Sequence, residues 1–223
     1  MRRLAFIAVA LFPVADYAGA QPTTNAVVST ATNSTPALTK GADEKTWSCY
    51  ASAYTYLVPD SREYVQPTFT ADRDALHLEA RYNYEALNTG SAWAGYNFGG
   101  GEKLAWEFTP MLGGVFGDTT GIAPGYKGSL RWWKLELDTE GEYVFDTRSS
   151  SDSFFYTWSE LSLAPVDWLR IGAVVQRTKL YKTDFDIQRG FLVGISFKRV
   201  DLTAYVFNPD DKPTFVFAVG LSF

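Results

Sequence analysis

From Trp47 to Phe223 the chain is a series of strand-length segments in which apolar and polar residues alternate. Successive side chains of a strand point to opposite faces, so each segment has one greasy face and one polar face. The alternation is most complete in 213–223, where Phe215, Phe217, Val219, Leu221 and Phe223 oppose Thr214, Val216, Ala218, Gly220 and Ser222. In 75–86, His77, Glu79, Arg81, Asn83 and Glu85 oppose Leu76, Leu78, Ala80, Tyr82 and Tyr84. In 134–146, Glu136, Asp138, Glu140 and Glu142 oppose Leu135, Leu137, Thr139, Tyr143 and Phe145. In 185–198, Gln188, Gly190, Gly194, Ser196 and Lys198 oppose Ile187, Phe191, Val193, Ile195 and Phe197. Two segments do not phase. Tyr54 and Tyr56 share a face with Ser48 and Ser52, and Tyr205 and Phe207 share one with Asp201 and Thr203, so 47–58 and 200–207 are left unassigned.

Turn-rich stretches such as Pro59-Asp60-Ser61, Asn88-Thr89-Gly90, Gly99-Gly100-Gly101 and Asn208-Pro209-Asp210-Asp211 separate the segments. They divide the chain into twelve predicted strands: 47–58, 63–71, 75–86, 91–98, 103–116, 120–131, 134–146, 154–163, 166–181, 185–198, 200–207 and 213–223. Each unit holds about fifteen residues, a spanning strand of ~9–11 residues plus a short loop. The expectation is an all-β fold: a single closed antiparallel transmembrane β-barrel of about twelve strands in an up-and-down meander. Ten strands also fit; eight would need much longer loops. The greasy faces are too bulky to fit inside one soluble barrel, whereas lipid sets no such limit. Aromatics gather at strand ends, Tyr54, Tyr56, Tyr82, Tyr84, Tyr143 and Phe145 at one rim and Phe98, Trp132, Trp168, Phe197 and Phe223 at the other, as in interfacial girdles.

The N-terminus changes the picture by adding export. Arg2 and Arg3, the apolar run Leu4–Ala15 and Ala18-Gly19-Ala20 form the three regions of a secretory signal peptide, so residues 1–20 are expected to be removed. Residues 21–46, rich in Ser, Thr, Asn, Ala and Pro, read as a flexible periplasmic leader before the barrel of 47–223. Cys49 is the sole cysteine, which excludes an intrachain disulfide, and the net charge of −5 gives no reason to expect nucleic acid.

With its terminal Phe223 closing an alternating strand, the chain resembles bacterial outer-membrane β-barrel proteins of the porin-like class. That resemblance implies a Gram-negative outer-membrane location, contact with outer-membrane lipid and lipopolysaccharide, and an assembly signal in Val219, Leu221 and Phe223 for the barrel-insertion machinery. It also implies that an even strand count leaves both chain ends in the periplasm. The extracellular loops, near 59–62, 87–90, 117–119, 147–153, 182–184 and 208–212, are then all short.

Candidate chemistry is sparse. The only histidine, His77, lies at the periplasmic start of its strand, away from the outer rim where a lipid-modifying enzyme would work, and reads as a hydrogen-bonding residue of the lumen. One His, one Cys and no compact ligand cluster argue against a metal site, and no cofactor is expected. Twelve strands close at a backbone radius of roughly 12 Å, leaving about 6 Å inside ordinary side chains. The residues expected to line that space are His77, Glu79, Arg81, Glu85, Glu107, Lys127, Arg131, Glu136, Asp138, Glu140, Glu142, Glu160, Arg170 and Lys198. Wetted, they make a narrow channel for ions or small polar solutes; bridged across the lumen, they make a closed structural barrel. A lipid-modifying enzyme is the third reading. Arg177, Lys179 and Arg189 fall on the lipid face near the outer rim, where they either snorkel into headgroup water or, with Arg177 and Arg189 almost opposite each other, hold an anionic phosphate of lipopolysaccharide that relieves their repulsion.

Overall fold

The computed structural model describes residues 46–59, 62–180 and 186–223, so the expected signal peptide and leader lie outside the described residues. Among the described residues thirteen strands form: β1 (Ser48–Leu57), β2 (Tyr64–Arg73), β3 (Leu76–Tyr82), β4 (Thr89–Tyr96), β5 (Phe98–Gly100), β6 (Leu104–Gly117) and β7 (Gly121–Trp132). They continue with β8 (Leu135–Asp146), β9 (Phe154–Val166), β10 (Leu169–Leu180), β11 (Asp186–Phe197), β12 (Val200–Phe207) and β13 (Thr214–Ser222).

Except for β4 and β5, consecutive strands pair antiparallel, and β1 pairs with β13, from Tyr50 opposite Ser222 to Leu57 opposite Phe215. The sheet therefore closes on itself and leaves no edge, which removes the unpaired backbone groups that lipid cannot satisfy. β4 and β5 both pair with β6 and are two halves of one strand interrupted at Asn97. The barrel thus has twelve staves in meander order. Asn97 is held by the lumen side: its amide donates to Asp72 Oδ1 at 2.8 Å and its Oδ1 accepts from Thr109 Oγ1 at 2.7 Å.

At the end where the chain termini lie, two-residue turns join β2 to β3, β7 to β8 and β11 to β12, each led by a residue with positive φ: Asp74 (54°), Trp133 (55°) and Lys198 (57°). The outer surface is apolar over the full circumference, with Leu78, Phe108, Leu137, Leu161, Phe191, Val193, Phe217 and Val219 all exposed. A patch this extensive suits hydrocarbon, not water.

Several sequence expectations need correction. β3 ends at Tyr82, and Asn83 (φ 57°) turns away to donate its amide to Val65 O at 2.9 Å, so it does not face the lumen. Tyr84 and Glu85 belong to the following connection. β9 continues to Val166, past the expected end at 163, because Asp167-Trp168 is the turn. Tyr54, Tyr56 and Tyr84 do not join an outer girdle; they point inward, Tyr56 being buried and the other two packed against the interior cluster. At the opposite rim Phe98, Trp132, Trp168, Phe197 and Phe223 are exposed and outward. Phe223 pairs through its backbone with Cys49 in both directions at 3.0 Å and sets its ring 6.1 Å from Phe69.

Candidate functional site: the lumen

Alternation in β3, β7, β8, β9 and β10 aims one row of polar residues per strand at the barrel axis, and the narrow bore brings those rows within contact. Arg81 is at their centre. Its Nε donates to Glu79 Oε1 at 2.7 Å and its Nη1 donates across the lumen to Glu142 Oε2 at 2.8 Å. The guanidinium is stacked 4.1 Å from the Tyr84 ring centroid and 4.7 Å from that of Trp93. Glu79 also receives Lys127 Nζ at 2.7 Å and faces His77 Nε2 at 3.2 Å, while His77 Nδ1 lies 2.8 Å from Asp72 Oδ1. Lys127 sits 3.8 Å from Glu140, which accepts the Tyr84 hydroxyl.

A second network surrounds Glu160. The Trp158 indole and the Tyr205 hydroxyl both donate to its Oε1 at 2.8 Å, Arg170 Nη1 approaches Oε2 at 3.2 Å, and Arg170 Nη2 reaches Thr203 Oγ1 at 3.2 Å. A third pair, Arg131 with Glu136, stands nearer the turn end. Charges in a low-dielectric wall must be paired or wetted, and this lumen does both at different heights. The side chains of Arg81, Glu79, Glu85 and Glu142 are at most 2% exposed, whereas Lys127, Glu140, Glu136, Arg131 and Arg170 are 26–40% exposed. One section is dry and filled; the column toward the short turns is reached by water.

Aromatics complete the dry section, and sequence reasoning missed them. Trp158 packs edge-on against Tyr54, Tyr205 and Phe207, with ring centroids 5.3–6.3 Å apart; Tyr56 stacks on Tyr64 at 4.6 Å, and Tyr84 meets Tyr156 at 5.5 Å. Glycine makes room for two further inward rings, Trp93 and Tyr50. A Cβ on Gly113 would lie 2.4 Å from the Trp93 ring, and one on Gly220 would lie 1.8 Å from the Tyr50 hydroxyl. The signal was present in the two unphased segments: the polar residues sharing a face with Tyr54, Tyr56, Tyr205 and Phe207 mark that face as lumenal.

Of the expected lumen set, Glu107 and Asp138 lie on inward positions, Asp138 opposite Glu160 across β8 and β9. Lys198 does not line the lumen. It occupies the exposed β11–β12 turn, where a positive φ reverses the chain, and its ammonium lies over the Phe197 ring. Arg177 and Arg189 are exposed on the outer face, but the register pairs Arg189 with Val175 and Arg177 with Ile187. The hairpin is shifted by two residues from the expected turn, so the two arginines do not oppose each other. Arg189 instead approaches Asp210 at 3.5 Å. Lys179 belongs to β10, and its side chain lies outside the described residues.

Among solved structures, a KdgM porin superposes with a TM-score of 0.57 at 12% sequence identity, covering 78% of this chain and 99% of that one. The barrel has the fold of a porin. A KdgM porin in complex with disordered oligogalacturonate gives a TM-score of 0.55 at 13% identity, covering 79% of this chain and 99% of the porin. No family model and no curated protein matches the sequence. Twelve staves, meander order and closure of β1 on β13 are therefore a porin fold.

Proposed function

We propose that the protein is an outer-membrane channel, narrowed at the Arg81 layer, that passes small cations and small polar solutes. The observation carrying this reading is the water-reached column of Glu136, Glu140, Lys127, Arg131 and Arg170, in which carboxylates from β8 continue through Asp138 toward Glu160. Carboxylates outnumber fixed cations along the lumen, and a ring of acids in a narrow bore favours cations. One of the porins sharing the fold binds oligogalacturonate, a polyanion. The acidic lining here is unsuited to that charge, which directs the proposal toward cationic and neutral solutes. A second reading, a closed barrel with a structural role, is favoured by the burial of Arg81, Glu79, Glu85 and Glu142.

Purified protein in a planar bilayer separates the two, since a closed barrel passes no current. Glu136→Gln combined with Glu140→Gln is expected to lower the preference for potassium over chloride; an unchanged preference would show that these acids do not face the conducting path. In the same reading Phe223 serves assembly and not conduction. Its deletion is expected to reduce the heat-modifiable form recovered from outer membranes, and equal recovery would remove that role.

A further inference from the structure

The connection Asn83–Asn88 does not stay at the rim. Glu85 folds into the lumen, where Ser91 Oγ donates to its Oε1 at 2.5 Å and the Trp93 indole donates to Ser91 Oγ at 2.9 Å. Tyr84 goes with it, against Tyr156 and Arg81. The ends of the connection are fastened by Asn88, whose N–H donates to Asn83 Oδ1 at 2.8 Å and whose amide donates to Asp118 Oδ2 at 3.0 Å.

Two atoms of this assembly have no partner. Glu85 Oε2 and Glu142 Oε1 are buried acceptors without a donor, a condition shared among the described residues only by Gln176 Oε1. An orphaned buried oxygen is costly, and two on neighbouring acids call for one explanation. Both carboxylates reach the same guanidinium nitrogen, Arg81 Nη1, at 2.8 Å from Glu142 and 3.9 Å from Glu85. Arg81 is also committed to Glu79, Lys127 is committed to Glu79 and Glu140, and Tyr84 donates to Glu140. Tyr156, facing from β9, is neutral over ordinary pH. Among the described residues the second acid, Glu85, has no cation nearer than Arg81 Nη1 at 3.9 Å.

We infer that Glu85 and Glu142 hold one proton between them and that this proton latches the Asn83–Asn88 connection inside the lumen. A single proton satisfies both orphaned oxygens: the protonated acid donates to the free oxygen of the other. Two carboxylates crowded into one site retain one proton above the usual carboxylate range. Burial pushes the carboxyl of Glu85, which belongs to the connection and not to a spanning strand, in the same direction. The latch is complete at acid pH and is lost as the pH rises through the raised titration of the shared proton. Two unscreened carboxylates then repel. Glu142 is fixed in β8, so the connection is the part that moves, taking Tyr84 out of the dry section. This gate rests on the channel reading, but the shared proton does not.

The test uses the full-length protein folded in detergent, measured at about pH 5 and about pH 9, either side of the expected release. Amide hydrogen exchange in 84–88, corrected for the intrinsic effect of pH, is expected to be at least about tenfold faster at the higher pH, the order of one lost buried partner. Glu85→Gln and Glu142→Gln mimic the protonated acid and keep a donor, so each should abolish the pH difference while staying protected. Glu85→Ala should leave the segment unprotected at both values. Infrared spectra should show a protonated-carboxyl band in the wild type that either Gln variant lacks. Equal exchange at both pH values in the wild type, or a pH difference that persists in both Gln variants, overturns the latch. Conductance that rises with pH in the wild type but not in Glu142→Gln ties the latch to the pore. A barrel that never conducts ends the channel reading and leaves exchange and infrared to decide the latch.

Discussion

Replacing Arg81 by Met is expected to cost about 3–5 kcal/mol of folding stability, the scale for removing one member of a buried ion network. Among the described residues Glu142 loses its one cation partner, 2.8 Å away, and Glu79 is left with Lys127 and His77. The methionine also gives up the cation–π contacts with Tyr84 and Trp93. Urea titration of the folded barrel in micelles measures the change. Adding Glu142→Gln to Arg81→Met should return part of the loss, because the orphaned charge is then gone. A single variant within experimental error of the wild type would show that water, not Arg81, supports these acids.

Trp158→Ala should act on both stability and conduction. The indole is 7% exposed, packs on Tyr54, Tyr205 and Phe207, and donates to Glu160. Truncating a buried Trp costs about 3–5 kcal/mol where the surroundings cannot collapse, and a barrel wall fixed by its ladder collapses little. The vacated volume lies in the lumen, so single-channel conductance should rise in the variant. Lower stability with unchanged conductance would place the limiting section elsewhere, at the Arg81 layer alone.

The barrel itself was legible in the sequence because alternation and turn chemistry are local signals. β3, β8, β11 and β13 show it plainly, and the twelve staves follow the expected segments within a few residues. Where the rule failed, the cause was physical. Position near a strand end points Tyr54 and Tyr56 to an outer girdle, and 47–58 and 200–207 do not phase, yet Tyr54, Tyr56, Tyr205 and Phe207 carry polar neighbours on the same face and fill the bore. Glu85 reaches the lumen from a connection that folds inward after Tyr82, which strand periodicity cannot foresee. The Arg177 and Arg189 register failed because a two-residue shift keeps every side chain on its proper face, so the alternation contains no information against it.

The central claim, an acidic lumen that conducts, is tested most directly by the reversal potential of the wild-type protein in a planar bilayer under a potassium chloride gradient. A reversal potential of the sign that marks potassium as the more permeant ion is the expected result; a chloride-selective potential, or no conductance at any pH, would contradict the account.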